Sequence, residues 1–483
     1  MSRAAADYTL AWFLFEKGVA LVYLIAFLCV VNQFIPLLGE DGLLPVPAFA
    51  KRVSFRQLPS LFLLVPTDRA FSLGGWAGVI LSALLLSPVL DHYFWGSLVA
   101  WAILWVLYLS FVNVGQTFYG FGWESILLET GFFTIFAGSA QAPPDIVLIW
   151  IWRWILFRIM WGAGLIKLRA DPCWKNLTCL DYHFETQPIP NPLSWFFHWL
   201  PPRVHKSGVL FNHLVELIVP FLYFAPQPAA AIAGLLTIAF QGTLMLSGNL
   251  SWLNLITIVL AFATLDNRLF SQTAAVAPQP GTVHQVVLWM LAAVVVWLSF
   301  GPVRNMFSRR QLMNYTYNPF HLVNTYGAFG GVTRTRYEIV VEGAAAEAIN
   351  DSTEWKEYEF KGKPGAPTRR PPQIAPYHLR LDWLIWFAAM QPHDLPPWFI
   401  QFVVRLLEND RTILGLLKKN PFPDGPPRYI RASLYEYHFT APAARRATGR
   451  WWDRALVAEY LPPVSLRGGR AAYAVPGRMA HRL

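Results

Sequence analysis

The chain is poor in charge and poorer still in cysteine. Only 14% of its 483 residues are Asp, Glu, Lys or Arg, and it holds 3 cysteines. Three cysteines exclude a disulfide framework. Cys29 falls inside an apolar run and reads as packing, which leaves Cys173 and Cys179 placed to form one disulfide. The sequence also lacks a glycine-rich phosphate loop, a nucleophile elbow and any Cys/His cluster with metal-ligand spacing. No metal or other cofactor is therefore expected. No nucleic-acid motif accompanies the net charge of +10, so lipid headgroups are the simpler partner of the scattered basic residues.

What is abundant is apolar. Hydrophobic residues make up 55% of the chain, and 22 Trp is far above the usage of soluble proteins. Apolar runs predict membrane spans near 19–38, 71–90, 94–112, 123–137, 146–168, 209–224, 229–246, 252–265 and 283–300. No small-residue cleavage site closes the first run, so it is expected to be retained. The fold class is thus an α-helical multi-pass membrane protein of about nine spans, with a C-terminal α+β soluble domain. The expected division is a transmembrane domain over 1–303, the α+β domain over 304–440, and a basic, flexible tail over 441–483.

The run DIVLIWIWRWILFRIMWGAGLIKLRADPCWKNLTCLD carries Arg153, Arg158 and Lys167. A cation at the bilayer centre costs about 2.5–3.5 kcal/mol on insertion scales, so it faces a partner or a wet cavity. Lys167 is near enough to the end of the run to snorkel; Arg158 is not. Arg158 needs an acid inside the membrane. Glu124 and Glu129 in the preceding run are the two candidates, and their spacing turns them towards different neighbours. They serve either a structural ion pair or a polar functional cavity. Asn212, His213 and Glu216 share one helix face; His213 and Glu216 suit a buried hydrogen-bonded couple better than two metal ligands. Asn-x-Ser/Thr sites at Asn176, Asn249, Asn314 and Asn350 matter only if they face a secretory lumen.

After Gly301 the pattern changes. RYEIVVE (336–342) and WKEYEFK (355–361) alternate as half-buried strands do. Helices are expected over 381–390 and 399–408, and a further strand over 429–440. Tyr315, Tyr317, Phe320, Tyr326, Phe329, Trp355, Trp383 and Trp386 form an aromatic set that serves either the domain's own core or the binding of a client polypeptide.

Long strings within this chain carry a resemblance. MNYTYNPFHLVNTYGAFGGVTRTRYEIVVEG, EWKEYEFKGKPG and PYHLRLDWLIWFAA resemble the C-terminal domain of the lipase maturation factors. YGFGWESILLETGF, FRIMWGAGLIKLRADPCWKNLTCLDYHFETQPIPNPLSWFFH and LFNHLVELIVPF resemble the membrane part of the same family. The resemblance implies a non-enzymatic factor that helps secreted clients, lipases in animals, to fold and assemble. It implies the ER membrane in a eukaryote and the inner membrane in a bacterium, with the C-terminal domain on the lumenal or periplasmic side. The ending Met479–Leu483 carries no ER-retrieval signal, which fits a bacterial relative. With an odd span count the basic loops share a side with the C-terminal domain, so the positive-inside rule points to the cytoplasm. The family argues the other way, because a folding factor must meet its client.

A shorter string, Gly164–Leu168 with Asp171 and Trp174, is similar to the membrane lysine motif of vitamin K-dependent γ-carboxylases. That resemblance implies a second reading, an enzyme in which Lys167 acts as base on a quinone or lipid. A third reading is a thiol redox helper using Cys173 and Cys179.

Overall fold

A computed structural model describes residues 8–138, 140, 144–270, 281–467 and 470–473. The membrane part begins with α1 (Thr9–Leu38), α2 (Asp68–Leu86), α3 (Phe94–Val114), α4 (Gly122–Thr134) and α5 (Ile146–Ala170). It continues with α6 (Pro202–His213), α7 (Ala229–Ser247), α8 (Leu253–Ala261) and α9 (Thr282–Leu298), which runs on into Phe300–Phe307. Side chains close the helix starts: Thr67 accepts from the Ala70 amide ahead of α2, and Asp145 from the Val147 amide ahead of α5. In hydrocarbon, close backbone approach replaces the hydrophobic drive between helices. Accordingly Gly78 of α2 meets the Phe27 ring of α1 where a Cβ would lie 2.2 Å from it.

Among the described residues six helices are long and apolar enough to cross a membrane, not nine. The run expected at 123–137 folds as α4, a helix of 13 residues buried on nearly every side. The run at 252–265 gives α8, of 9 residues. The run at 209–224 is divided: α6 passes into a π-turn at Leu214–Ile218 and then Val219–Leu222. Pro220, which has no amide hydrogen to donate, accounts for the break. Hydropathy registers apolar composition and is blind to whether lipid or protein supplies the apolar surroundings.

The C-terminal domain is built on a five-stranded antiparallel sheet of order β2-β1-β5-β6-β7. Its strands are β1 (Arg336–Ala344), β2 (Lys356–Glu357), β5 (Tyr429–Phe439), β6 (Trp452–Arg467) and β7 (Arg470–Tyr473). A separate pair, β3 (Glu359–Phe360) and β4 (Leu417–Lys419), lies beside it. Helices α10 (Arg380–Met390) and α11 (Pro397–Leu407) complete the core. WKEYEFK is thus split between two sheets: Tyr358 and Phe360 are buried while Lys356 is exposed. β1 is covered on both faces rather than half-buried, with Arg336 and Glu338 both inside. The stretch from 441, expected as a flexible tail, supplies a short helix and the 16-residue β6, paired with β5 from Trp452 to Val464. The ending Met479–Leu483 lies outside the described residues.

Candidate functional site

The buried charges form the join between the two parts of the molecule. Arg158 of α5 and Glu129 of α4 make an ion pair with both side chains at or below 1% exposure. Glu129 also accepts from the Asn324 amide and Asn324 Nδ2, each at 3.2 Å, and from the Tyr326 hydroxyl at 2.6 Å. Arg158 donates to the Asn324 carbonyl at 2.7 Å, and its guanidinium stands 5.6 Å from the Trp154 and Tyr326 rings. The carboxylate therefore holds a segment of irregular backbone as well as a cation. That segment has positive φ at Asn314, His321, Val323 and Phe329. Gly162 of α5 admits it: a Cβ there would lie 2.4 Å from the Tyr326 carbonyl. Asn113 at the end of α3 donates to the Pro319 carbonyl at 3.1 Å and meets His321 Nε2 at 3.0 Å. Non-helical backbone against spanning helices is tolerated only where protein satisfies it in this way.

Glu124 serves a different cation. Arg380, the first residue of α10, donates to Glu124 at 2.7 Å and to the Phe118 carbonyl at 2.7 Å. Its guanidinium lies 3.5 Å from the Tyr119 ring, and Tyr108 donates to the second carboxylate oxygen. Gln33 of α1 fastens the same strand of chain, donating to the His378 carbonyl at 2.7 Å and accepting from the Arg380 amide at 3.0 Å. A third clamp lies at the loop after Glu185: Arg336 donates to the carbonyls of Glu185, Gln187 and Pro188 at 2.5–3.0 Å. Arg336 is itself paired with Glu338, which also holds Lys363 at 2.9 Å. Arg380 and Arg336 carry no motif for these roles in the sequence, and Asn324 reads there only as a turn cap beside Pro319 and Gly327. The one available signal was Arg380 standing between Leu379 and Leu381 at the head of the apolar run LDWLIWFAAM.

Lys167 does not snorkel. It donates to both oxygens of Glu216, at 2.5 and 2.7 Å, and to Asn212 at 3.0 Å, with the Trp174 ring 4.9 Å away. The π-turn carries Glu216 into that position. His213 leaves the group and donates through Nε2 to the Trp174 carbonyl at 3.0 Å. Arg153 donates to the Ala263 carbonyl and the Tyr8 hydroxyl, both at 2.9 Å. No group of three or more potential metal ligands occurs among the described residues. Cys173 and Cys179 are joined as a disulfide. Its loop meets the start of the C-terminal part: Trp174 Nε1 donates to the Phe329 carbonyl at 3.0 Å, and Arg334 pairs with Asp171 at 2.9 Å. That pairing lowers the Asp171 carboxyl to about 2.

The eight aromatic residues scatter. Tyr326 and Trp383 are buried; Phe329, Trp355 and Trp386 are half-buried; only Tyr315, Tyr317 and Phe320 are exposed. The Phe320 ring stacks 6.5 Å from Trp105 of α3, and Tyr317 lies against Gly301, so this trio flanks spanning helices. Of the four Asn-x-Ser/Thr sites, Asn249 is buried, its side chain bonded to Pro190, Pro372, Ile374 and Ala375.

The two halves held together by these clamps match two family models. Residues 10–272 match the lipase maturation factor transmembrane domain, and residues 322–462 the lipase maturation factor C-terminal domain. The chain belongs to the lipase maturation factor family. It is 42% identical to lipase maturation factor 1 of Bos taurus, over 96% of this chain and 91% of that protein. With lipase maturation factor 1 of Homo sapiens the identity is 39%, over 93% and 87% of the two chains. With lipase maturation factor 2 of Homo sapiens it is 31%, over 94% and 82%. No solved structure matches. The family supports a maturation-factor role in a membrane protein. It gives no support to the carboxylase-like or thiol-redox readings, and Lys167 is occupied by a carboxylate.

Proposed function

We propose that this protein is a non-enzymatic maturation factor that holds an incompletely folded secreted client, a lipase, against its C-terminal domain while the client completes folding and assembly. The observation that carries the reading is the triple clamp of Glu124–Arg380, Glu129–Arg158–Asn324 and Arg336 on the loop after Glu185. Ion pairs of this burial add little net stability but fix one arrangement, here a domain seated rigidly on a membrane anchor. Such a seat keeps a client near the membrane it has just crossed. The domain faces the lumen or periplasm in this reading. The Cys173–Cys179 disulfide supports that side, since disulfides persist in oxidising compartments and this one abuts the segment leading into the domain.

Co-expression with a secreted lipase tests the proposal. The full chain should raise the active fraction of secreted lipase, and the paired change Lys167→Met with Glu216→Gln should leave that gain in place. An unchanged active fraction refutes the maturation role. Loss of the gain in the paired variant, at normal abundance, transfers the function to Lys167. Truncation before Met313 is the poorer test, because it removes Arg380 from Glu124 and Tyr326 from Glu129.

A further inference from the structure

Helix α10 presents an uncovered apolar ridge with a cavity on each side. Phe387 is 42% exposed and Met390 37%, and the two lie one turn apart on the same helix. Residues three or four apart share a helix face, so two neighbouring stripes of α10 form two different walls. Trp386 and Met390 wall a smaller cavity of 280 Å³ towards Arg334 and Tyr337. Leu384, Phe387 and Ala388, with Gln391 just beyond the helix, wall a cavity of 390 Å³. The larger one is closed by Phe121 and Trp398 and holds a single charged residue, Asp394. Asp394 is exposed and has no ion-pair partner among the described residues. A carboxylate beside aromatic rings attracts a cation, which gains from both the charge and the ring faces. The volume falls within the range of about 300–1,000 Å³ typical of ligand pockets.

We propose that this cleft is the client-binding surface, and that it takes a polypeptide segment in which a Lys or Arg enters the cavity at Asp394 while neighbouring apolar side chains lie on Trp386, Phe387 and Met390. The assignment rests on the maturation reading and names its recognition chemistry. A polypeptide is favoured over a free small cation because the apolar ridge adjoins the charged cavity, and a small cation would leave it uncovered. Arg334 does not compete for Asp394, since it is engaged by Asp171. The site lies where α10 meets the loop before α4, beside the Arg380 clamp, so its walls come from both parts of the molecule.

The test uses the full chain in lipid nanodiscs and a fluorescent peptide of Leu and Phe residues around one central Lys, with a second peptide carrying Glu in its place. The Lys peptide should bind saturably and at least about tenfold more tightly than the Glu peptide. Asp394→Lys should reverse that preference, and Phe387→Ala with Met390→Ala should weaken both peptides about tenfold. Equal binding of the two peptides, or an unchanged preference in Asp394→Lys, overturns the proposal. Complete competition by lysine methyl ester at the peptide's own affinity assigns the cavity to small cations and overturns it as well. The reversal is a gain of binding, which a misfolded variant cannot produce. Lipase co-expression separates the two readings. Peptide preferences that follow the charges while the intact chain fails to raise lipase yield sustain the cleft against the maturation role, whereas a lipase gain left intact by Asp394→Lys overturns the cleft as the client site. Preferences that ignore the charges while the intact chain still raises lipase yield do the reverse.

Discussion

Replacing Arg158 by Leu should destabilise the protein by about 3–5 kcal/mol, because it strands Glu129 at 0% side-chain exposure. The surrounding contacts place the cost within that range. Glu129 keeps three donors after the change, the Asn324 amide, Asn324 Nδ2 and the Tyr326 hydroxyl. Hydrogen bonds to a charged group contribute about 1.5–3 kcal/mol each when formed, so the abandoned carboxylate is partly satisfied and the loss belongs near 3 kcal/mol. Glu129→Leu is the harsher change. It strips Arg158 to the Asn324 carbonyl and two ring faces and also orphans the groups of Asn324 and Tyr326, which places it near 5 kcal/mol. The decisive variant is Arg158→Leu with Glu129→Gln, which removes both charges yet leaves an amide oxygen for Tyr326. It should recover about 2 kcal/mol of the loss in Arg158→Leu, read as membrane abundance and as thermal melting in detergent. The same rescue by Glu124→Gln, or no rescue by Glu129→Gln, refutes the pairing and with it the claim that Glu129 anchors the 324–326 segment.

Other consequences can be measured independently. Arg380→Ala leaves Glu124 buried without its cation and should cost about 3–5 kcal/mol, with increased protease cleavage between Gly327 and Arg336 as the sign of an undocked domain; unchanged cleavage contradicts the clamp. An impermeant thiol reagent applied after reduction should label Cys173 and Cys179 from the lumenal or periplasmic side, and labelling only from the cytoplasm reverses the orientation. Cys173→Ser opens a link of sequence separation 6, and loop-closure entropy puts its loss at about 2 kcal/mol. A loss within error of zero shows that the loop is held by Trp174 and Asp171 instead. Burial, aided by the nearby Lys167 charge, lowers His183 from 6.5 to about 4. Its neutral form is favoured in the folded state, so its contribution is complete above pH 6.5 and is lost as the pH falls towards 4, by up to about 3 kcal/mol. His183→Gln should flatten that part of the stability profile; an identical profile removes His183 as its source.

The sequence by itself determined that the chain is membrane-embedded, that strands and helices of an α+β part follow the membrane helices, and that Arg158 requires an acid. Each follows from local composition, because lipid tolerates no unpaired charge and strands and helices leave their periods in the chain. It also determined that Glu124 and Glu129 turn to different neighbours, since five positions on a helix do not share a face. Which neighbour each one meets was decided only by the tertiary structure. Arg380 lies 256 positions from Glu124, and Asn324 lies 195 positions from Glu129. Nothing in the local pattern of either residue records such a distant partner. The same cause explains the spans. α4 and α8 are apolar enough to pass for membrane crossings, but their apolar faces are met by other helices, and hydropathy does not distinguish a protein neighbour from a lipid one. β6 was hidden for a related reason: Ala- and Arg-rich composition reads as a solvated tail, and only its register against β5 makes a strand of it. Tertiary contact also withdrew Lys167 from any role as a free base, because Glu216 reaches it through a π-turn that proline imposes from four residues further along the chain.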